Sequence, residues 1–443
     1  MGAGACGIVA ALAARAAGAD VLVLERDRTP TGSTSLSSGF IPAPATRFQH
    51  ALGIDDDSPE RFAADILAKS HHHADAAEAL RVARAIGPAL EWLADAHGIP
   101  FAVLDNFLYP GHACKRMHAV PERTGAALLA RLLRAAEAAD IPIMTEALVT
   151  DLFVDPAQQV RGVRVRRPDG RTEDIGCGAL ILACNGYGGD KDLVRRYIPD
   201  LAEALYFGHP GNQGDALRWG EALGADIRDL AACQGHGGIA HPHGIVITWA
   251  LVMEGAIQID RDGRRFWNEH EGYSEAAVAV LRQPDGIAHI VFDARLHALG
   301  MEFEDFRAAE QAGAIRRGAD AAALAAACGL PAEALAATLA DVQALARAQA
   351  TDGFGRRFAA PPLAPPYCAV RVTGALLHTQ GGLVVDDAAR VRRRDGSVLP
   401  NLFAGGGAAR GVSGDAIWGY LSGNGLLGAV AYGHLAGQAA ARL

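Results

Sequence analysis

The pattern of apolar positions at the start of the chain predicts a helix followed by a strand. An alanine-rich run from Ile8 to Arg15 has the period of an amphipathic helix, and the segment 20–24 (Asp-Val-Leu-Val-Leu) has the composition of a short strand that ends at Glu25. Helix and strand in this order at the start of a chain are typical of an α/β fold.

Farther along, helical and extended patterns alternate. Ser58 and Pro59 form a helix start, with serine as the cap and proline in the first turn. The predicted helices cover 59–70, 75–97, 125–140 and 216–223, and alanine-rich helices follow from 303 to 347. The predicted strands are a hairpin (146–154 with 162–166), a buried strand (179–183), a second hairpin (257–269) and a strand at 287–293.

Glycines stand in front of the first helix at the spacing GxGxxG, as Gly2, Gly4 and Gly7. In a dinucleotide-binding unit, this spacing allows a tight turn, a close approach of the backbone to a pyrophosphate and close packing of helix on sheet. The helix amino end favours the phosphates, and an acid about 20 residues farther on, here Glu25, is placed for ribose hydroxyls.

A buried strand should precede this turn, but only Met1 stands in front of Gly2. The first strand of a doubly wound sheet lies in its middle, so its absence would expose two rows of backbone groups. The sequence therefore predicts an apolar run of about four to six residues, the length of a strand, upstream of Met1 in the source gene.

Composition narrows the class of protein. The 443 residues suggest two or three domains, and 50% hydrophobic with 21% charged residues is ordinary for a globular protein. A net charge of −9 without a basic cluster argues against nucleic acid as a partner. The apolar runs are too short for a membrane span, and no signal peptide is recognised, so the expected compartment is the cytoplasm. Seven scattered cysteines predict reduced thiols and no zinc or iron–sulfur site.

Small and polar residues recur at three further places. Residues 31–39 read as a loop of hydroxyls and glycines that can approach a phosphate or a flat ring. Residues 184–189 form a glycine-rich turn after a buried strand, where ligands collect in open α/β sheets. The amino end of the last helix, at 423–425, is an anion or carbonyl site of the same kind.

Histidine clusters allow two interpretations. His71, His72 and His73 can be ligands or a solvated helix end, and adjacent histidines on a helix face different ways, which favours the helix end. His236, His241 and His243 lack a nearby carboxylate, which disfavours a metal site. The loop 109–118, rich in Tyr, His and Arg, either reaches a site or carries surface polar groups. The segment 361–366 is a stiff connector that returns from an inserted domain.

Taken together, these motifs resemble the flavoproteins of the fumarate reductase/succinate dehydrogenase superfamily, which includes the 3-ketosteroid dehydrogenases. The resemblance covers nearly the whole chain and rests on several stretches in combination: 2–7 with Glu25, 32–39, 183–189, 214–215, 240–242, 378–382 and 402–425.

The resemblance implies an α/β architecture in which a Rossmann-like FAD-binding domain, here apparently without its first strand, carries an inserted α+β capping domain. The expected divisions are 1–236 and 367–443 for the FAD-binding domain and 237–366 for the capping domain. Members that attach FAD covalently use a histidine in the loop matched by 33–39. No histidine stands there, so FAD is expected to be non-covalent.

With the glycine fingerprint, the resemblance assigns cofactor contacts to a set of small and polar residues. They are Gly2, Ala3, Gly4, Cys6, Gly7, Glu25, Arg26, Gly32, Ser33, Thr34, Ser38, Gly39, Val149, Ala183, Asn185, Gly186, Asp215, Gly406, Gly407, Asn424, Gly425 and Leu426.

For the substrate, the resemblance implies that His241, Thr248 and His378 match the two histidines and the threonine of the family's fumarate site. The family's charged residues are replaced: its clamping arginine falls on Tyr420, and its acid–arginine relay falls on Trp249 and Val252. Without a cationic clamp, a dicarboxylate loses charge-assisted hydrogen bonds worth about 1.5–3 kcal/mol each. The ketosteroid branch has a tyrosine at the position of Tyr420, where it polarises a ketone.

The sequence thus favours an FAD enzyme that dehydrogenates, or reduces, a carbon–carbon bond beside a carbonyl or carboxyl group. His378 and Tyr420 would polarise the oxygen, and Thr248 and His241 would position it. His297 or Arg295, or Tyr420 itself, would handle the proton.

Purely structural roles for His241, His378 and Tyr420 stay open. So do two alternative functions: a fumarate reductase or succinate dehydrogenase-like activity on a small carboxylic acid, and a flavin electron-transfer subunit. The expected partners are a small-molecule substrate and an unidentified electron acceptor.

Overall fold

The polypeptide folds into two compact units in the computed structural model, which describes residues 1–105 and 108–443. Unit 1 contains Met1–Pro199, Gly208–Gln234 and His378–Leu443, and unit 2 contains Asp200–Phe207 and Gly235–Leu377. The proline-rich segment 361–366 is followed by one more strand of unit 2, so the chain re-enters unit 1 near residue 378.

Fifteen α-helices occur among the described residues. They are α1 (Ala5–Ala16), α2 (Gly32–Leu36), α3 (Arg47–His50), α4 (Pro59–Lys69), α5 (Ala76–His97), α6 (Gly125–Ala138), α7 (Lys191–Tyr197), α8 (Asp215–Ala222), α9 (Ala250–Met253), α10 (Tyr273–Leu281), α11 (Ala294–Gly300), α12 (Glu304–Gln311), α13 (Ala321–Cys328), α14 (Ala332–Ala348) and α15 (Asn424–Ala440).

Twenty strands are present in the same ranges. They are β1 (Val23–Leu24), β2 (Ile41–Pro42), β3 (Ala102–Val103), β4 (Met117–Ala119), β5 (Ile143–Met144), β6 (Leu148–Val154), β7 (Val160–Arg166), β8 (Thr172–Gly176), β9 (Leu180–Leu182), β10 (Leu205–Tyr206), β11 (Ile227–Arg228), β12 (Cys233–Ala240), β13 (Ile245–Val246), β14 (Ile257–Ile259), β15 (Ile287–Asp293), β16 (Ile315–Gly318), β17 (Tyr367–Thr379), β18 (Gly382–Leu383), β19 (Arg390–Arg392) and β20 (Val398–Ala404).

Unit 1 is a set of small sheets covered by helices. β1 pairs in parallel with β5, β9 pairs in parallel with β20, and β6, β7 and β8 form an antiparallel sheet. The hairpin predicted at 146–166 is therefore confirmed and extended by a third strand. The capping serine predicted for α4 is observed. Ser58 Oγ accepts a hydrogen bond from Arg61 N at 3.1 Å at the start of this helix.

Met1 and Gly2 hydrogen bond to two strands. The amino group of Met1 donates to Ile181 O at 2.9 Å, Ala183 N donates to Met1 O at 2.9 Å, and Gly2 N donates to Leu24 O at 2.7 Å. These two residues thus join the ends of β1 and β9 at the place where the first strand of the fold is expected. The upstream apolar run stays a prediction.

Helices α1 and α15 pack closely through small residues. A Cβ on Gly433 would lie 2.6 Å from Cys6 O, and a Cβ on Gly437 would lie 2.2 Å from Ala10 O. The two helices meet with their backbones nearly in contact at these points, so larger side chains would force them apart.

Unit 2 is built on a seven-stranded sheet. Its main order is β13-β12-β17-β15-β14, and β10 and β16 also pair with β17. β17 is antiparallel to β15 with Val370 opposite Ile290, and both side chains are fully buried. The core of the unit is this apolar sheet with the alanine-rich helices around it.

Three local expectations were wrong. Residues 257–269 do not form a hairpin, because only β14 is a strand and its partner is β15. A strand, β16, interrupts the alanine-rich helices, because Ile315 to Gly318 pair with β17. The expected loop at 31–39 contains one helical turn, α2, in which Ser35 Oγ donates to Gly32 O.

Across the described residues, no helix is both long and apolar enough to cross a membrane.

The packing of α1 on α15 predicts opposite effects for two alanine substitutions in α15. Gly437→Ala should lower the free energy of unfolding by about 1–3 kcal/mol, because its Cβ has no room beside Ala10 O. Gly428→Ala should raise it by up to about 1 kcal/mol, because alanine favours the helix and the nearest atom, of Tyr432, is 3.8 Å away. Thermal unfolding of the two variants measures both. If both substitutions raised the free energy of unfolding, helix propensity and not the contact with Ala10 O would govern position 437.

Candidate active site

The glycine turn in front of α1 is shaped to bring backbone close to a ligand. Gly2 has φ 100°, which disfavours other residues, and a Cβ on Gly7 would lie 1.8 Å from Gly2 O. Gly4 is the N-cap of α1 and offers no side chain to cap the helix. Its amino end, with the positive end of the helix dipole, therefore presents backbone amides to an anion.

Glu25 follows β1 and holds the turn in place. Its Oε2 accepts from Ala3 N at 2.8 Å and its Oε1 accepts from Asp27 N at 2.9 Å. The neighbouring Arg26 donates to Gly211 O at 3.0 Å. The carboxylate thus stands beside the glycine turn, as a ribose-binding acid should.

Segment 33–39 packs against the same turn. Thr34 Oγ1 accepts from Ala5 N at 3.0 Å, and Ser33 Oγ accepts from Asn185 Nδ2 at 2.8 Å. Asn185 lies after β9 with φ 65°. A Cβ on Gly39 would lie 2.7 Å from Thr124 O. Predicted cofactor residues from three distant stretches are thus brought together in unit 1.

The other expected cofactor residues lie in the same unit. Two of these positions have no room for a side chain. A Cβ on Gly186 would lie 2.0 Å from Thr379 Oγ1, and a Cβ on Gly407 would lie 2.1 Å from Asn185 Oδ1. The remaining residues are placed on unit 1 elements or in its loops: Cys6 on α1, Gly32 on α2, Ser38 after it, Val149 on β6, Ala183 after β9, Asp215 on α8, Gly406 in the turn after β20, and Gly425 and Leu426 on α15.

Asn424 gives a test of whether this set fits FAD. It is 2% exposed at the amino end of α15, and its Oδ1 is buried without a hydrogen-bond partner. A buried acceptor of this kind requires a donor, and the flavin ring carries an N–H group. The glycine cradle and this acceptor therefore fit a bound FAD.

His378 and Tyr420 are neighbours in unit 1. Their ring centroids are 5.5 Å apart at an interplanar angle of 77°. Burial lowers the pKa of His378 to about 4, so the imidazole is neutral near pH 7, and burial raises the pKa of Tyr420. The pair is thus two neutral groups that can donate hydrogen bonds.

Gly425 leaves the space that His378 occupies. A Cβ at this position would lie 2.9 Å from Cε1 and 3.0 Å from Nε2 of His378. Gln380 Nε2 contacts Nδ1 of the same ring at 3.0 Å. The start of α15 and segment 378–380 therefore fix the histidine together.

The other predicted substrate residues belong to unit 2. His241 N donates to Arg371 O at 2.9 Å, and partial burial together with the charges of Arg371 and His243 lowers the pKa of the imidazole. Thr248 Oγ1 accepts from Ala250 N at 3.4 Å in front of α9. Both side chains are partly exposed.

His297 and Arg295 share α11 but are engaged in other contacts. His297 Nε2 lies 3.1 Å from Glu310 Oε2 and 3.1 Å from a nitrogen of Arg317. Arg295 donates to Glu254 O at 2.8 Å. These contacts give both side chains structural partners within unit 2.

An aromatic cluster in unit 2 joins His236 and Trp249, both named from the sequence, to Tyr273, which the sequence analysis missed. The rings of His236 and Tyr273 stack at 5.2 Å and 21°, and Trp249 meets His236 edge-on at 5.7 Å. Burial lowers the pKa of His236 to about 4, and Trp249 Nε1 is buried without a partner. Trp249 is adjacent to Thr248 in the chain, which links the cluster to a predicted site residue. No local sequence pattern predicts these contacts, because the three residues lie far apart along the chain.

The histidine cluster at 71–73 contacts an aromatic ring. His71 stacks on Trp418 at 4.7 Å, and His73 meets the same ring edge-on at 4.9 Å. No group of three or more His, Cys, Asp or Glu side chains is arranged for a metal ion within 1–105 and 108–443.

A family model described as "FAD binding domain" matches residues 1–426. The chain belongs to this FAD-binding family. FAD as the cofactor and the resemblance to fumarate reductase and ketosteroid dehydrogenase flavoproteins are thus confirmed.

Curated relatives of the FAD-binding family align along the chain. A probable fumarate reductase of Shewanella frigidimarina is 28% identical over all of this chain and 74% of its own length. An NADH:fumarate oxidoreductase of Klebsiella pneumoniae is 27% identical over all of this chain, which spans 47% of that protein. A 4-oxocyclohexanecarboxylate 2-dehydrogenase of Sinomonas cyclohexanicum is 29% identical over 64% of this chain and 55% of its own.

Solved structures show the same fold. A flavocytochrome c3 fumarate reductase in an open conformation superposes with a TM-score of 0.83 at 27% identity, over all of this chain and 77% of that chain. A 3-ketosteroid-Δ4-(5α)-dehydrogenase of Rhodococcus jostii superposes with a TM-score of 0.78 at 24% identity, over all of this chain and 96% of that chain.

The glycine turn predicts that FAD retention depends on open space at Gly4. Gly4→Val should lose most of its flavin, because a branched side chain would lie at the amino end of α1 and against Thr34 Oγ1, 3.2 Å from a Cβ there. Gly178→Val is the control, since no heavy atom lies within 4 Å of its Cβ. Acid precipitation and the absorbance of the supernatant measure flavin per chain. Flavin that stays with the wild-type precipitate would contradict the expected non-covalent attachment.

Proposed function

We propose that this chain is an FAD-dependent oxidoreductase that transfers hydride between the cofactor and a carbon–carbon bond beside a carbonyl or carboxyl group. The observation that supports it most is the pair of neutral side chains, His378 and Tyr420, at the amino end of α15 in the FAD-binding unit. Relatives named for the reduction of fumarate and for the dehydrogenation of a ring keto acid are consistent with this chemistry.

In this proposal, His378 and Tyr420 bind the carbonyl oxygen of the substrate. Two hydrogen bonds from neutral donors stabilise negative charge that develops on that oxygen and make the adjacent C–H group more acidic. The assignment of Thr248 and His241 in unit 2 to substrate binding stays a prediction from the sequence. Bound FAD, held without a covalent link, would accept or supply the hydride at flavin N5.

The preferred substrate class is a ketone. Three positions that carry charge in the fumarate site of the family are Trp249, Val252 and Tyr420 here, and their exposures are 6%, 0% and 6%. Each charge-assisted hydrogen bond lost would weaken binding of a dicarboxylate by about 1.5–3 kcal/mol. Replacing these charged residues with apolar and aromatic side chains does not weaken the binding of an apolar ring system.

We infer that Tyr273 is a candidate, beside His297, for the group that handles the proton. The ring of Tyr273 belongs to the aromatic cluster that contains Trp249, next to Thr248. His297 is instead held by Glu310 and Arg317.

Arg371 favours a second candidate, activity on a carboxylate that also carries a carbonyl group or double bond. Its charge lowers the pKa of both His241 and His289, so it lies near the predicted substrate histidine, and its side chain is exposed. A carboxylate on the substrate would find its cationic partner there. The electron acceptor would be a separate small molecule or protein.

Tyr420→Phe tests the polarising pair. The variant should retain FAD but reduce it about 100-fold more slowly than wild type when mixed without oxygen with a cyclic ketone, because loss of one oxyanion donor costs about that factor. Tyr197→Phe is the control, because Tyr197 is a half-buried tyrosine that is distant from Tyr420 in the sequence. Loss of flavin absorbance measures the rate. An unchanged rate on every accepted substrate would remove Tyr420 from the mechanism, and bleaching by succinate but not by ketones would favour the carboxylic-acid alternative.

The two candidates for the proton group are separated by a paired substitution. Tyr273→Phe should slow flavin reduction by about 100-fold or more, since general acid–base groups contribute about 10²–10⁴ in rate. His297→Asn should change the rate little and lower Tm, because it removes a partner of Glu310. The reverse ranking of the two rates would return the role to His297.

A further inference from the structure

A row of hydrogen-bonded side chains runs behind His378. Asn424 Nδ2 donates to Ser413 Oγ at 3.2 Å, Ser413 Oγ donates to Gln380 Oε1 at 3.4 Å, and Gln380 Nε2 lies 3.0 Å from His378 Nδ1. Gln380, Ser413 and Asn424 are 5%, 1% and 2% exposed. Because these three side chains are buried, they are fixed partners for Nδ1 of the half-buried imidazole.

Every donor in this row points toward His378. An amide nitrogen can only donate, so with the Gln380 amide in this orientation Nδ1 of the ring accepts through its lone pair, and the single proton of the neutral ring is on Nε2. The competing partner is Thr379 O, which lies 3.4 Å from Nδ1. Gln380 Nε2, at 3.0 Å, is the nearer of the two partners of Nδ1 and lies within the usual range of about 2.7–3.2 Å for N–H hydrogen bonds.

We propose that Gln380 is a positioning residue that fixes His378 as the neutral tautomer with its proton on Nε2. His378 is then a hydrogen-bond donor to the substrate oxygen and does not accept a proton from the substrate. This inference rests on the proposed function and assigns the roles within it.

Two glycines preserve the space for this arrangement. A Cβ on Gly411 would lie 2.9 Å from Gln380 Oε1, and a Cβ on Gly425 would lie 3.8 Å from Gln380 Nε2 and 2.9 Å from His378 Cε1. Any larger residue at either place would displace the amide or the ring. The backbone holds Gln380 as well, since its N donates to Ala232 O at 2.8 Å and its O accepts from Gly411 N at 2.7 Å.

The charged groups nearest to the row are already paired. Arg410 precedes Gly411 and forms ion pairs with Asp229 at 2.6 Å and Asp75 at 3.3 Å. The ring that faces His378 is the neutral Tyr420. Neither Arg410, held in its ion pairs, nor the neutral Tyr420 favours a protonated, cationic His378.

A neutral donor also bears on specificity. Nε2–H of His378 and the hydroxyl of Tyr420 can both bond to one carbonyl oxygen without a charge in the site. A carboxylate at the same place would be buried beside two neutral donors and no paired cation, which is costly. The tautomer therefore favours a ketone oxygen as the group bound here.

The wild-type holoenzyme tests the tautomer directly. Histidine labelled in its ring nitrogens is incorporated, and NMR distinguishes the protonated from the unprotonated nitrogen of each ring. The signals of His378 are those that disappear in His378→Gln. We expect an unprotonated Nδ1 and a protonated Nε2 at every pH from 6 to 8, values that bracket the ordinary pKa of histidine at about 6.5. A proton on Nδ1 would overturn the proposal, whatever the substrate.

Gln380→Glu tests the role of the amide. A carboxylate accepts only, so it should draw the ring proton to Nδ1 and raise the pKa of His378 by at least about one unit. Flavin reduction by a ketone should then fall about 10-fold or more as pH rises through that raised pKa, a dependence that wild type lacks. Unchanged NMR signals and an unchanged pH profile would show that Gln380 only fills space.

Gln438→Glu is the matched control. Gln438 contacts His434 Nε2 at 3.1 Å on the exposed face of α15, so the same substitution acts on a histidine outside the site. It should alter the signals of His434 alone and leave the rate and its pH profile unchanged. If no ketone reduces the flavin of wild type, the proposed function fails while the NMR result still decides the tautomer.

Discussion

The close contact between the first and last helices supports the rest of unit 1. Gly433 and Gly437 of α15 lie against backbone atoms of α1, a distance that only glycine allows. This contact places the amino end of α1, with its phosphate-binding turn, and the amino end of α15, with Asn424 and Gly425, in one unit. Each of these amino ends carries the positive end of a helix dipole, and both would help to hold a bound FAD.

Neutral titratable groups occur in each of the two units. His378 and His236 are neutral because burial lowers the pKa of each to about 4, and burial raises the pKa of Tyr420. Such groups bind through hydrogen bonds and ring contacts, which suits a neutral oxygen on an apolar substrate better than a dianion. The partners of these groups are also uncharged, so the arrangement requires no compensating ion.

In unit 2, a buried cluster of charged side chains holds neighbouring segments together. Burial alone would raise the pKa of Glu269, but a hydrogen bond from Arg265 and the charge of Arg356 lower it, so the three groups form a buried ionic cluster. Arg356 also donates to Val252 O at 3.2 Å, at the end of α9. The cluster thus holds the helix that follows Thr248 and Trp249, and breaking one member would leave an unpaired buried charge.

The sequence by itself determined the features that depend on neighbouring residues: the glycine turn at Gly2–Gly7, the cap at Ser58, the start of α15 and, through them, FAD binding. Such signals are local, because they arise from backbone freedom and from the first hydrogen bonds of a helix. Only the tertiary structure decided that β16 is a strand, since its hydrogen bonds are made with β17. The same holds for side-chain contacts. Glu310 and Arg317 contact His297, and Trp249 and Tyr273 pack on His236. Ser413 and Asn424 form hydrogen bonds in the row that ends at Gln380 and His378. A side chain's chemistry follows from its type, but its role follows from partners that lie far away in the chain.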